Sequence, residues 1–260
     1  MNPALRTAAS GMNAVQRKSE VIANNLANVN TTAFKRSRAQ FEDLLYQKIQ
    51  GSAVLGGADA AITPAMQIGR GVKLSGVARI DAQGSLTESG RPLDVAIEGE
   101  GYLRVRGPND QPLYTRDGAL QVSDQGILVT SGGLAIEPGI RVEEGMTNLT
   151  ISRSGFVSAQ NGSGIVELGR IELARFTNTS GLEAMGENLY AETPGSGAAV
   201  TGYPEDEGFG RLVQGYLEGS NVEIVTEMVE MITAQRAYEI NSKSVQAADQ
   251  MSQTATQMVR

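Results

Sequence analysis

Apolar residues at the two ends of the chain recur every three and four positions, whereas the long middle alternates with a period of two. A helix shows its apolar side at the first spacing and a strand at the second. The chain is therefore constrained to two terminal helices around a β-rich centre. Each helix carries an apolar stripe that needs a partner.

The amino-terminal stripe runs through Leu5, Ala8, Met12, Val15, Ser19, Ile22, Leu26 and Val29, with Ser19 as its polar lapse. This 3-4 spacing describes a heptad seam through nearly four repeats. Asn2 suits the N-cap and Pro3 the first helical position, where its missing N–H costs nothing. Gly11 costs about 1 kcal/mol relative to Ala inside a helix and so marks a close helix approach. Asn30 and the threonines of "NVNTT" favour turns, so the helix is expected to end there.

The carboxy-terminal stripe passes through Ile224, Met231, Ala234, Tyr238, Asn241, Val245, Ala248, Ala255 and Val259, with lapses at Glu227 and Ser252. Ser220 stands three residues before Glu223, the spacing of a capping box. Glu223, Glu227 and Glu230 fall in the early turns, where the helix dipole favours negative charge.

Between the helices, "PLDVAIEG", "GYLRVRG", "NLTISRSGFVSAQ" and "VELGRIELARF" alternate apolar and polar residues. Asp117-Gly118, Gly132-Gly133 and Asn161-Gly162 read as hairpin turns between short antiparallel strands. Residues 46–72 fit neither period, and a stretch this long without one is functional or disordered. The expected fold class is α+β. Residues 1–34 form an amino-terminal coiled-coil helix, and 35–74 a connector with an extended loop or hairpin. Residues 75–215 form the β-rich domain, and 216–260 a carboxy-terminal coiled-coil helix that packs with 1–34.

No charge occurs between Glu20 and Lys35, yet that stretch holds Asn24, Asn25 and Asn28. Helix faces that meet water are normally laced with Lys and Glu. An amide can hydrogen-bond inside an interface without the desolvation cost of a charge. These three asparagines are expected to form a polar face between subunits. Residues 1–50 carry seven Lys/Arg against three Asp/Glu, and residues 216–260 three against six, as two ends that pack together would.

The net charge of −7 argues against nucleic acid, whose binders show a basic footprint. Without cysteine or histidine there is no thiol chemistry, no Ser-His pair and no imidazole metal ligand. A glycosidase needs only two acids, and Glu98, Glu100, Asp117 and Asp124 are candidates only as acids near expected turns, where solvated strand ends are the plainer reading. "YPEDEG" lacks the alternating ligands and central glycine of a calcium loop. No catalytic, cofactor or metal residue is expected, and no cofactor. No apolar run approaches the roughly 18 residues that cross a bilayer, and no secretory signal is evident. A protein of this kind leaving the cytoplasm would need a route without a cleaved signal.

"SGMNAVQRKSEVIANNLANVNTTAFKRSRAQFEDLL", "LDVAIEGEGYLRV", "YTRDGALQV", "GLEAMGENLY" and "VQGYLEGSNVEIVTEMVEMITAQRAYEINSKSV" resemble, in order, the blocks of bacterial flagellar rod and hook proteins. The length and the segment after "FEDLL" make the chain most similar to the distal rod subunits of that family, with a proximal rod or hook subunit as the alternative. The resemblance implies a structural subunit exported through the flagellar type III apparatus. It implies a stiff helical homopolymer that spans the periplasm within the P and L rings, between proximal rod and hook subunits. It also implies that the tube carries torque and encloses the export channel, its inner layer made by the two helices. Leu5, Met12, Val15, Ile22, Leu26 and Val29 would then pack on Ile224, Met231, Ala234, Tyr238, Asn241, Val245 and Ala248. The small-residue stretch of Gly51, Gly56, Gly57, Asp59 and Pro64 would brace adjacent subunits. A secreted β-rich carbohydrate-active enzyme or a wall-binding module would account for the strands, but not for two weakly charged heptad helices.

Overall fold

The structure is a computed structural model that describes residues 3–50, 53–54, 62–63, 66–143, 145–162 and 164–258. The fold is α+β, and the chain divides into two compact units. The first gathers Met1–Ala27, Ser37–Ala78 and Glu223–Arg260; the second is made of Asn28–Arg36 and Arg79–Val222.

In the first unit, α1 spans Pro3–Ala27 and α2 spans Ile224–Met258. Pro3 occupies the first helical position, whereas Asn2, its expected cap, lies outside the described residues. At the start of α2 the expected capping box is not what forms. The Ser220 hydroxyl accepts from the N–H of Val222, and Glu223 takes the capping place: its carbonyl accepts from Glu227 and its carboxylate from the Thr226 hydroxyl. Neither helix is long and apolar enough to cross a membrane.

The connector, which has no apolar period, forms a long antiparallel hairpin. Strand β1 (Ser37–Asp43) pairs with β6 (Val72–Arg79), β2 (Gln47–Gln50) with β5 (Met66–Ile68), and β3 (Ala53–Val54) with β4 (Ile62–Thr63). Strands need main-chain pairing rather than a buried face, so a two-stranded ladder leaves no alternation to read. Phe41, Leu45, Tyr46, Met66, Ile68 and Val77 are exposed along it. Across the ladder the Glu42 carboxylate accepts from Ser75 Oγ at 2.6 Å and pairs with Lys73 Nζ at 3.2 Å. The Ser75 hydroxyl, and then Lys73, hold the Glu42 carboxyl below its ordinary range.

The second unit is antiparallel β. Its six-stranded sheet runs in the order 183–186, 189–191, 112–115, 102–106, 173–175 and 200–202. A three-stranded sheet of 147–151, 156–161 and 164–170 accompanies it, with pairs formed by 95–98 and 211–214, 86–88 and 216–218, and 120–122 and 128–130. Ile97, Leu103, Leu120, Leu128, Ile136 and Leu212 are all fully buried in its main core. A second cluster stacks Tyr102, Tyr114, Tyr190 and Phe176 edge to face, with ring centres 4.7–5.9 Å apart.

Asn161-Gly162 turns between two paired strands, as expected, and Gly133 closes a turn on Thr130. Asp117-Gly118 does not make a hairpin, because the strands on its two sides belong to different sheets. Gly118 is instead a close crossing: its carbonyl accepts from Val95, and a side chain there would strike the Val95 carbonyl.

The expected boundaries at 34, 74 and 216 shift. Residues 28–36 and 216–222 belong with the β unit, and 75–78 with the hairpin. Main-chain bonding is the reason. Ala33 donates to the Glu218 carbonyl at 2.8 Å, and the Arg36 N–H donates to Asn221 Oδ1 at 2.7 Å.

Candidate functional site

The helix pair is the feature that most distinguishes this chain from an ordinary β protein. Its antiparallel register is fixed at points along its length. Near the end of α1, Asn25 meets Glu227; farther along, Lys18 Nζ pairs with Glu230 at 3.1 Å; nearer the start, Gly11 faces Asn241. A Cβ on Gly11 would stand 3.1 Å from Nδ2 of Asn241, so the glycine leaves room for the Asn241 side chain rather than marking a contact between backbones.

Burial along the helix pair falls mostly on alanine positions. Ala8 and Ile22 on α1, and Ala234 and Ala248 on α2, are buried. Leu5, Met12, Val15 and Leu26, with Met231, Asn241 and Val245, are half-buried. Three seam expectations are not met within this chain. Val29 lies beyond α1, which stops at Ala27, and it sits in the turn that follows. Ile224 is 47% exposed at the first position of α2, and Tyr238 is 46% exposed. At Tyr238 the half-buried place falls to Ala237, whose small side chain suits a close approach. Val259 lies outside the described residues, as do Gly51, Gly56, Gly57, Asp59 and Pro64 of the bracing stretch.

The asparagines separate into three roles. Asn25 is 1% exposed and bonds within the chain, so it is not on a face open to a neighbour. Its Nδ2 donates to the Ser37 carbonyl at 2.8 Å and its Oδ1 accepts from the Ser37 N–H at 2.9 Å. One amide thereby takes the place of a neighbouring strand at the start of β1. The same Nδ2 donates to Glu227 at 3.1 Å. Glu227, a polar lapse in the sequence pattern, is 1% exposed and is the polar centre of the seam. Asn28 lies past the helix end, and its side-chain oxygen accepts from the Thr31 hydroxyl at 3.1 Å. Asn24 alone remains on an exposed part of α1.

In the β unit, sequence reasoning missed a buried charge cluster. Glu218 accepts from Lys35 Nζ at 2.6 Å and from Arg116 Nε at 2.8 Å, and all three side chains are at most 6% exposed. Burial is the larger effect on the Lys35 ammonium and lowers its pKa, against the opposing pull of the Glu218 carboxylate. The available signal was Glu218 ending a short strand after Tyr216 and Leu217, a charge where the pattern turns inward.

Two of the acids weighed as catalytic candidates, Glu98 and Asp117, have ordinary partners. Glu98 is held in a two-point fork by Arg211 at 2.8 and 2.9 Å, and the Arg211 bonds keep its carboxyl low. Asp117 accepts from the Ala119 N–H, and burial raises its pKa. Among the described residues no cluster of acids is arranged to hold a metal ion.

Three family models match successive parts of the chain. Residues 5–35 match "Flagella basal body rod protein", 96–159 "Flagellar hook protein FlgE/F/G D1 domain", and 213–258 "Flagellar basal body rod FlgEFG protein C-terminal". The flagellar basal-body rod protein FlgG of Caulobacter vibrioides is 48% identical over 98% of this chain and 98% of its own. FlgG of Borreliella burgdorferi is 46% identical over the full length of both. The rod protein FlgF of Caulobacter vibrioides is 32% identical over 99% of this chain and 98% of its own. Within one organism the likeness to FlgG thus exceeds that to FlgF. The chain belongs to the flagellar basal-body rod proteins, and among them to the FlgG family.

Proposed function

We propose that the chain is the subunit of the distal rod and polymerises into a stiff helical tube. The tube carries torque from the motor to the hook and encloses the export channel. The helix pair forms an inner coiled-coil layer. The subunit reaches its place through the type III export apparatus. It joins proximal rod subunits at one end and hook subunits at the other, and it runs within the P and L rings in the periplasm. Its role is structural, and no catalytic step is assigned to it.

The observation that carries this reading is the unused face of α2. After the seam with α1 is filled, Ile224, Val225, Met228, Val229, Ile232, Tyr238 and Ile240 remain exposed on one helix. An apolar surface of that extent marks an interaction site. Contacts between unlike faces of identical subunits generate open helical filaments when the rotation does not close. Ile224 and Tyr238, unfilled in the single chain, then find cover between subunits, and Asn24 supplies an exposed amide there. The test is complementation of a strain lacking this gene, with electron microscopy of its basal bodies. Wild-type protein should restore a complete rod. A chain with Val229 and Ile232 changed to Ser should be exported yet leave basal bodies ending at the proximal rod. Complete rods from that variant would overturn the reading.

The hairpin supports a second element of the proposal. Its exposed apolar residues flank the segment holding Gly51, Gly56, Gly57, Asp59 and Pro64, which would lie along adjacent subunits and stop them sliding. Deleting residues 51–64 should leave export and assembly intact but give rods that bend. Straight rods of normal stiffness would reduce the segment to a passive linker.

A further inference from the structure

The buried cluster in the β unit joins the earliest residues of that unit to the latest. Residues 28–36 bond to residues 218 and 221, to the Ile80 N–H at 2.8 Å through the Arg36 carbonyl, and to Asn188 Nδ2 at 3.2 Å through the Thr32 carbonyl. The Ala33 N–H donates to the Glu218 carbonyl, the Arg36 N–H to Asn221 Oδ1, and Asn221 N–H to the Phe34 carbonyl at 3.4 Å. Asn221 also bridges to the neighbouring segment, its Nδ2 donating to the carbonyls of Ile80 and Ala82 at 2.8 and 2.9 Å.

The charges make this dependence one-sided. Arg116 has acceptors of its own, since Nη2 donates to the carbonyls of Ile97 at 3.2 Å and Gly99 at 3.0 Å. Lys35 without Glu218 would keep the Ala82 carbonyl, at 2.9 Å, as its hydrogen-bond acceptor, with the weaker pull of the Asp81 carboxylate set against the larger opposing effect of the Arg116 cation. An ammonium buried that way is strongly disfavoured. Glu218 therefore has a place in the sheet before Lys35 docks, with Arg116 and the Gly84 N–H at 2.9 Å as partners. Lys35 has no comparable place before Glu218.

We propose that Glu218 is a latch that delays docking of residues 28–36 until the last strands of the β unit, 211–214 and 216–218, are seated. A chain emerging amino end first would thus keep its first segment undocked until its final strands arrive. The reversed order, with residues 28–36 docking first as a template, is the competing arrangement.

Hydrogen exchange with pulse labelling during refolding of the full-length chain reads the order directly. The Leu212 and Leu128 amides, bonded to the Arg153 and Ile140 carbonyls, report the seated sheet. The Ala33 and Arg36 amides report docking. They should gain protection in a later phase than Leu212, and simultaneous or earlier protection would overturn the proposal. In the folded state, Glu218→Gln should raise exchange at Ala33 and Arg36 by about 100-fold or more while Leu128 is unchanged, as expected when a buried ion pair loses one partner. Adding Lys35→Met should restore most of that protection by removing the stranded cation. Equal loss of protection at Leu128 and Ala33 would count against a latch. If Glu218→Gln does not fold, the order of protection in the unaltered chain decides.

Discussion

The side-chain amide of Asn25 donates to the Glu227 carboxylate at 3.1 Å across the helix pair, with both residues 1% exposed. The same amide grips both main-chain groups of Ser37. A single buried residue therefore ties α1, α2 and β1 in one register, the use for which a polar group in an apolar seam is best attested. Asn25→Asp removes the donor and sets a second carboxylate against Glu227 in a closed space. The helix–hairpin unit should lose about 3 to 5 kcal/mol. Helical circular dichroism followed through a urea titration measures this.

Gly11 tests how tightly the helices are held together. An added methyl would meet the far end of the Asn241 side chain at 3.1 Å, which a shift of a few tenths of an ångström relieves. Alanine also gains about 1 kcal/mol of helix propensity. Gly11→Ala should therefore leave stability within about 1 kcal/mol of the original, whereas Gly11→Leu should part the helices and abolish motility. Denaturant midpoints and swimming on soft agar distinguish the two.

Charge placed in the seam should act differently from charge on the β surface. Ala248 is 3% exposed in the helix pair, and Ala248→Glu buries an unpaired carboxylate at a cost of about 3 kcal/mol or more. Glu143, exposed in a loop of the β unit, should accept Lys with a change below about 0.5 kcal/mol. Thermal melting of the two variants, together with their motility, makes the comparison.

Alkaline pH should unfold the β unit through its tyrosines. Burial raises the hydroxyl pKa values of Tyr102, Tyr114 and Tyr190 above that of an exposed tyrosine. The folded state therefore holds these protons more tightly than the unfolded chain. Stability from this source is intact below about pH 10 and is lost as pH rises beyond it. Lys35 works in the opposite sense, because its pKa is lowered on folding and the cost of burying its charge is relieved as pH rises. Tyr102→Phe combined with Tyr190→Phe should flatten the fall in melting temperature above about pH 10. An unchanged slope in a melt series would show that these hydroxyls are not responsible.

The sequence by itself determined the two terminal helices and the β-rich centre. Those follow from the spacing of residues such as Ile22, Ala234 and Ala248, because periodicity is a local property of the chain. The family, too, was legible in the order of its blocks. What polar residues do inside the fold was not legible. Asn25 sat in a stretch without charge, which suggested a contact other than water, but only the tertiary structure showed that Ser37 and Glu227 of the same chain provide it. Residues 46–72 showed no apolar period, and the paired strands described there are made by main-chain bonding rather than burial. The union of Lys35, Arg116 and Glu218 was invisible for a related reason. Charges 183 and 102 residues from Glu218 meet only through the topology of the strands, and no local pattern encodes that meeting.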